Sequence, residues 1–289
     1  MTIVPRMDGD GFVDCACGRR HWGRNGAAGL LLVTAKGEVL VQHRAERSHE
    51  GGTWALPGGA RTSEEAAHEA ALREASEEAG IVADDVRLAH SWIEDHGTWS
   101  YTTVVGHVSE PLDARPVSWE SAELRWVAQN DVADLELHPA FAAAWPSLRA
   151  QAGRRLVLVV DAANVVGSRP DGWWQDRFGA TERLRDKLAV LATTGLLAEI
   201  VELPGVLWWP DVRLVVEGAA RGVRSIPGID VRSALRDGDA MIEQVVAEAV
   251  TARPNDHVVA VTADRELRRR VNAVGGAVVG PGTLRRATE

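Results

Sequence analysis

The chain has 289 residues, 45% hydrophobic and 25% charged, with a net charge of −9; the length suggests two domains and the balance excludes a disordered chain. The longest apolar runs, residues 30–33 and 156–160, are strand-sized, far short of the ~20 residues that cross a bilayer. No charged-then-apolar stretch opens the chain, so no membrane span, no signal peptide and a cytoplasmic location are expected. Charge is uneven: residues 1–154 carry 14 basic and 23 acidic side chains, residues 155–289 carry 18 of each. The first part therefore reads as an acidic, metal-using enzyme rather than an electrostatic nucleic-acid binder. In the second part Arg265, Arg268, Arg269 and Arg270 cluster, followed by Arg285 and Arg286. A solvated helix face is the commoner origin of such a cluster, and a phosphate-contacting patch is the alternative.

In chain order, Cys15 and Cys17 are too close to form a long-range staple, and they suit a reducing compartment. With His21 they offer three zinc ligands, but no second Cys pair follows at zinc-ribbon spacing. A reduced, packed or loop-lining role is favoured. Residues 29–33 and 39–41, joined at Lys36-Gly37, read as a hairpin. Gly51-Gly52 and Pro57-Gly58-Gly59 bracket a short segment, 54–56, between tight turns. A helix is predicted from a capping box at Thr62 and Glu65 through an Ala-rich run to Ala79, stopped by Gly80. Strands are predicted over 104–108 and 124–127, then a short helix over 141–148 that Pro146 interrupts. The polar stretch 149–154 marks a domain boundary. Beyond it, strands at 156–160, 213–216, 258–261 and 277–279 alternate with helices at 181–192, 240–252 and 265–274. That alternation predicts a parallel sheet with helices on its faces.

The strongest chemical signal is in the first helix. Glu74, Glu77 and Glu78 stand at i, i+3 and i+4, so they project from one face. Three clustered carboxylates repel one another unless a hard divalent cation such as Mg²⁺ or Mn²⁺ neutralises them. An acidic solvated face is the bland alternative, but it does not explain the glycines at either end. Gly59, Glu65, Arg73, Glu74, Glu77, Glu78, Gly80 and Ile81 match the pattern G-x5-E-x7-R-E-U-x-E-E-x-G-U, with Ala75 the one loose position. Over residues 20–150 the sequence resembles the Nudix hydrolase family.

The resemblance implies an α/β/α sandwich with a mixed sheet over 1–150, and Mg²⁺-dependent (or Mn²⁺-dependent) hydrolysis of a nucleoside diphosphate linked to a group X, with water attacking phosphorus. It implies Glu74, Glu77 and Glu78 as metal ligands. Arg73 and Glu65 are expected to orient the loop and helix, and the backbone at Gly58 and Gly59 to approach metal or phosphate. Glu120 and Glu123 are candidates for the general base, Glu120 lying where the family often has a loop glutamate. Arg44 and Arg47 are candidates for gripping phosphate. Trp54, Trp92 and Trp99 are candidates for stacking on a base, although packing is the commoner use of tryptophan. A homodimer is also compatible with the family.

In the second part, the strand at 156–160 ends in Asp161-Ala-Ala-Asn164, Asp237 and Asp239 precede a helix, and Asp264 follows another strand. Each acid alone is explained as a helix cap; three at the carboxyl edge of one parallel sheet suit a metal site. These short motifs resemble the PIN-like NYN family of ribonuclease-type domains over residues 155–289. The resemblance implies a Rossmann-like domain with Asp161, Asp239 and Asp264 as metal ligands, Asn164 at the family's asparagine position, and Glu217 as a possible fourth ligand. Ala240 stands where related domains often have a second acid. Trp173-Trp174 and Trp208-Trp209 would stack on unpaired RNA bases or pack. A ribonuclease or RNA-binding activity of this part as the main function is the alternative reading.

Overall fold

The computed structural model describes residues 7–48, 50–168 and 173–287, and the chain forms two compact units, Met1–Gly153 and Arg154–Glu289. In the first unit a small hairpin, β1 (Phe12–Asp14) and β2 (Arg20–Trp22), precedes β3 (Ala27–Thr34), β4 (Glu38–Arg44), β5 (Trp54–Ala55) and β6 (Gly58–Ala60). There follow α1 (Ala67–Ala79), β7 (Arg87–Asp95), β8 (Ser100–Val108), β9 (Ser121–Ala128) and α2 (Pro139–Gln151). Around β3 the sheet is mixed: β8 runs parallel to it, while β4 and β6 are antiparallel. Strands β5 and β9 both pair with β4, and β7 pairs antiparallel with β8.

Every residue of β3 is buried, which is why its sequence is a continuous apolar run rather than an alternation. Ala28, Leu30 and Leu32 pack in one cluster with Ala70, Ala71, Ala75 and Ala79 of α1. Leu31 and Val33 face the other way, with Phe141, Trp145 and Leu148 of α2. The sheet is thus the middle of three layers. The small alanines let α1 lie close to the strands, and this fixes the depth of its glutamates.

Two predictions about these helices need correcting. Helix α1 begins at Ala67, with Ala66 as N-cap, and not at Thr62. Glu69 supplies the reach-back by accepting from the Ala66 N–H at 2.8 Å. Glu65 does accept from the Thr62 N–H at 3.2 Å, but this closes a turn, because its carboxylate is also held by Arg73. Gly80 ends the helix as expected, at φ 68, a left-handed conformation that glycine adopts without penalty. Pro146 does not interrupt α2, which runs unbroken from Pro139 to Gln151. An interior proline costs about 3 kcal/mol, and burial of Phe141, Trp145 and Leu148, at ~1.5–3 kcal/mol for each large apolar side chain, outweighs it.

The second unit contains β10 (Leu156–Asp161), α3 (Ala162–Gly167), α4 (Arg177–Thr194), β11 (Leu196–Leu197), β12 (Leu207–Trp208) and β13 (Asp211–Val216). It continues with β14 (Ile229–Ser233), α5 (Gly238–Ala252), β15 (His257–Val261), α6 (Arg265–Ala273), β16 (Ala277–Val279) and α7 (Pro281–Ala287). Its main sheet is wholly parallel, in the order β14-β13-β10-β15-β16. Leu156, Leu158 and Val160 pack with Leu184, Leu188 and Leu191 of α4. Val157 and Val159 pack with Ile242, Val245 and Val246 of α5 and Leu267 and Val271 of α6. The alternating strands and helices of the sequence thus form a two-faced parallel sheet. Its order reverses between β10 and β15, the position at which such sheets open a crevice at their carboxyl ends.

Candidate active site

The first site is built where β6 meets α1. Strand β6 lies on β3, with Gly58 opposite Gly29 and Gly59 opposite Ala28. A Cβ on Gly59 would stand 2.6 Å from the carboxyl carbon of Glu74. Only glycine therefore lets that carboxylate lie against the strand. One turn further on, Glu78 is 4% exposed, and its Oε2 accepts from the Gly58 N–H at 2.9 Å.

Arg73 ties the cluster together. Its Nε donates to Glu65 Oε1 at 2.8 Å, Nη1 to Glu74 Oε1 at 2.7 Å, and Nη2 to the Ala60 carbonyl at 2.9 Å. A weaker contact, 3.4 Å, reaches Glu77, whose side chain is 49% exposed. The planar fork thus spans loop, strand and helix, which a lysine could not do. The guanidinium also holds the Glu65 carboxyl below its usual range. For Glu74 burial outweighs Arg73 and pushes the carboxyl up to about 7, with Glu77 and Glu120 adding to the rise. Glu78 is pushed up to about 7 by burial against the opposing Gly58 N–H, with Glu74 and Glu120 again adding. The site is short of positive charge. Its hard oxygen donors, Glu78 buried and Glu74 largely so, fit a Mg²⁺ or Mn²⁺ ion.

The structure distinguishes the two base candidates. Glu120, half-buried in the loop before β9, is close enough to act electrostatically on both Glu74 and Glu78. Its carbonyl is pinned by the Ala45 N–H at 2.8 Å. Glu123 lies on β9, paired with Arg125 at 2.7 Å, and is not brought into the cluster. Arg44 ends β4 at an irregularity in its pairing with β9, and its charge acts on the phenol of Tyr101. Arg47 is exposed on the turn that follows.

The tryptophans expected as stacking candidates are otherwise engaged. Trp54 is buried in the α2-side core with the Arg125 guanidinium over its ring. Trp92 packs on the same core and donates to His90. Trp99 is stacked on His21. Sequence reasoning missed two residues here. Tyr101, the chain's single tyrosine, brings its hydroxyl against Gly29 and Gly58. Trp119, beside Glu120, is 69% exposed, an exposure that its sequence neighbourhood does not signal.

Comparison with known proteins bears on this geometry. The family model of the NUDIX domain matches residues 23–151. A Mycobacterium tuberculosis protein named "Putative 8-oxo-dGTP diphosphatase 3" is 52% identical over 154 residues, spanning 50% of this chain and 70% of the relative. The chain belongs to the Nudix hydrolase family. A Bifidobacterium longum nucleoside triphosphate pyrophosphatase/Nudix hydrolase fusion protein is 47% identical over 154 residues, which is 50% of this chain and 31% of that one. Among solved structures, the Nudix hydrolase RenU of M. smegmatis is 50% identical, with 49% of this chain and 93% of that chain covered and a TM-score of 0.46.

The second unit gathers its acids at the carboxyl edge of the parallel sheet. Asp161, the last residue of β10, accepts from the Asn164 N–H at 3.0 Å and the Thr262 hydroxyl at 3.0 Å. Asn164 Oδ1 accepts from the Ala263 N–H at 2.9 Å, which ties the β10 end to the β15 end across the switch point. Asp264 caps α6, accepting from Glu266 and Leu267 at 2.8 Å. Glu217 accepts from the Gly238 N–H at 3.1 Å. Burial raises Asp161, and Asp239 and Glu217 add to the rise; burial also raises Asp239, with Asp264 and Asp237 adding. All four predicted acids are thus electrostatic neighbours. Trp208 and Trp209 are buried, their indole N–H groups bonded to Pro204 and Thr193 carbonyls, and neither is available to a base. Trp174 is exposed, and the Trp173 side chain lies outside the described residues.

From either side of the glutamates in sequence, the structure gathers Cys15, Cys17, His21 and His96, their ligand atoms all within 4.8 Å of one another. His96 was not foreseen. It stands 75 positions beyond His21, and no spacing pattern links them.

Proposed function

We propose that the first unit is a Mg²⁺-dependent (or Mn²⁺-dependent) pyrophosphohydrolase acting on a nucleoside diphosphate linked to X, with a purine nucleoside triphosphate such as 8-oxo-dGTP the first substrate to test. The substrate class comes from the name of the mycobacterial relative. The observation that carries the reaction is the pair of carboxylates, Glu74 largely buried and Glu78 buried, held against Gly58 and Gly59 with the charge of Glu120 acting on both. Glu74, Glu77 and Glu78 would hold the ion. When bound, it offsets charge on the diphosphate oxygens and lowers the pKa of water. Glu120 accepts the proton of the attacking water, with Glu77 and Glu78 shaping the same field. Arg44 attracts the phosphate chain, and the bare backbone at Gly58 and Gly59 admits it closely. Arg73 and Glu65 position the carboxylates and do not touch substrate.

Product release from a panel of 8-oxo-dGTP, ordinary nucleoside triphosphates, ADP-ribose, dinucleoside polyphosphates and capped RNA tests this. Hydrolysis of one or a few compounds with Mg²⁺, lost in Glu77→Gln, is the expected result. No turnover of any panel member by folded protein supplied with metal would remove the proposal.

A second reading rests on the four acids at the switch point of the parallel sheet. Asp161, Asp239 and Asp264 would hold a divalent ion for phosphodiester cleavage of RNA, in a PIN/NYN-like domain. RNA cleavage that is lost in Asp161→Asn supports it. Binding of RNA without cleavage would make the unit a targeting module, and neither cleavage nor binding would remove it.

A further inference from the structure

The Cys15, Cys17, His21 and His96 cluster is independent of the glutamate site and has its own architecture. Cys15 and Cys17 come from the turn between β1 and β2, His21 from β2, and His96 from the loop joining β7 to β8. Cys17 Sγ lies 3.1 Å from His21 Nε2, and the His21 and His96 ring centroids are 5.0 Å apart. A tetrahedral zinc ion, with bonds of about 2.3 Å to sulfur and about 2.0–2.1 Å to nitrogen, sets its ligand atoms roughly 3.4–3.8 Å apart. The four ligand atoms here are within 4.8 Å of one another, so side-chain adjustments of ~1 Å or less close the polyhedron.

The contacts around the four side chains suit a bound metal. Cys15 Sγ accepts from the Cys17 N–H and the Thr98 hydroxyl, both at 3.5 Å, donors of the kind that stabilise a coordinating thiolate. Trp99 stacks flat on His21, with centroids 4.0 Å apart and planes 9° from parallel. Its indole N–H is fixed by the Trp22 carbonyl at 3.1 Å. These contacts set the ring orientation that a ligand imidazole requires. An ordinary thiol–imidazole hydrogen bond accounts for Cys17 and His21, and the Cys15 thiol donates to the His96 carbonyl at 3.7 Å; neither accounts for a ring nitrogen of His96 lying within 4.8 Å of both sulfurs and of the His21 ring nitrogen.

Stability gives a reason for such a centre. Strands β1 and β2 have three residues each and, among the described residues, form a two-stranded sheet of their own, and Phe12 and Trp22 are exposed on them. An isolated two-stranded hairpin is marginal in water. Single hydrogen bonds from Thr98 and Trp99 already tie the hairpin to the β7–β8 loop; a metal that joins the turn and β2 to that loop reinforces them with four bonds.

We infer that Cys15, Cys17, His21 and His96 form a structural zinc site that staples the β1–β2 hairpin to the β7–β8 loop. The donor set of two thiolates and two imidazoles selects zinc over the hard ions suited to the glutamates.

The test uses the full chain, untagged and purified without chelators. Elemental analysis is expected to find one zinc per chain in the wild type and less than a tenth of that in Cys17→Ser and in His96→Ala. Cys17 is exposed, so its serine variant is the one least prone to misfold. Glu77→Gln is expected to keep its zinc, which separates this site from the glutamates. Metal-free, reduced protein given Co²⁺ is expected to show a thiolate charge-transfer band and intense tetrahedral d–d bands, both lost in Cys17→Ser. Wild-type protein without zinc that also fails to develop these cobalt bands would overturn the inference. Equal zinc content in wild type and both ligand variants would overturn it as well.

Discussion

The two carboxylate sites solve the same electrostatic problem in different ways. In the first unit one helix supplies Glu74, Glu77 and Glu78; one guanidinium, Arg73, is shared among Glu74, Glu77, Glu65 and the Ala60 carbonyl, while Glu78 is held by the Gly58 N–H. In the second unit the acids come from the ends of separate elements, and most are also occupied in capping or loop closure: Asp161 at α3, Asp264 at α6, Glu217 at the start of α5. The first arrangement holds carboxylates that backbone N–H groups satisfy only partly, and so leaves oxygen lone pairs open to a cation. The second uses much of its negative charge on helix N-termini, where it is already stabilised. Concentrated charge held by one cation suits an ion-dependent site; distributed charge satisfied by backbone suits a scaffold at least as well.

The largest expected effect tests that contrast directly. Glu77 is the most exposed of the three glutamates, so Glu77→Gln removes a proposed ligand with little disturbance of the fold. Several kcal/mol of transition-state stabilisation is expected to go with it, a fall in kcat/KM for the nucleotide of roughly 10²–10³-fold. Asp161→Asn is expected to leave nucleotide hydrolysis within about twofold of wild type, below ~0.5 kcal/mol. A comparable fall in both variants would mean that the sites do not work independently.

Next in size is Arg73→Ala. It leaves Glu65 and Glu74 without their cation while their side chains stay 13% and 14% exposed. Breaking a buried pair costs about 3–5 kcal/mol; the 22% exposure of Arg73 points to the lower end, measurable as a shift of the urea midpoint. Arg73→Lys keeps the charge but not the fork, and is expected to recover less than half of the loss. A variant as stable as wild type would show that the guanidinium does not organise the cluster. Gly59→Ala should cost less, about 1–3 kcal/mol of overpacking, because the added Cβ meets a carboxylate at 2.6 Å. Its effect on activity should exceed its effect on stability, since Glu74 is what must move.

Much of the first site was legible because helical periodicity turns spacing into geometry: positions 74, 77 and 78 share a face wherever α1 begins. The start of α1 was misplaced because the Thr62–Glu65 pattern makes the same reach-back bond in a turn, and only the competing Arg73 contact, eight residues on, distinguishes the two. Continuity through Pro146 was hidden for a related reason, since burial of Phe141, Trp145 and Leu148 is a tertiary effect. Strand β7 was not predicted either; its pairing slips between Leu88 and His90, which breaks the alternation that marks a strand. Tyr101, Trp119 and His96 were missed because their roles depend on which loops meet, and a single sequence does not encode that as a spacing.

The smallest effect sharpens the comparison most, because it reads the carboxylates without any substrate. Burial holds the Glu74 and Glu78 carboxyls up at about 7, against 4.5 for the free group. Between those values the folded chain binds more protons than the unfolded one, so their contribution to stability falls as pH rises through that window. Glu65 works in the opposite sense: its carboxyl is lowered by Arg73, and the stability it contributes is lost only as pH falls below about 4.5. Metal-free protein is therefore expected to lose melting temperature from about pH 5 to about pH 8, and Glu74→Gln to lose less over the same range. Asp161 and Asp239 are raised too, but Glu74→Gln leaves them intact, so the difference between the two curves belongs to the glutamate site. Mg²⁺ should flatten the wild-type curve by stabilising the protein most at high pH, where it no longer competes with protons. Identical pH profiles for wild type and Glu74→Gln would mean that the buried carboxylate is already compensated by Arg73, and that the cluster's demand for a cation is weaker than its burial implies.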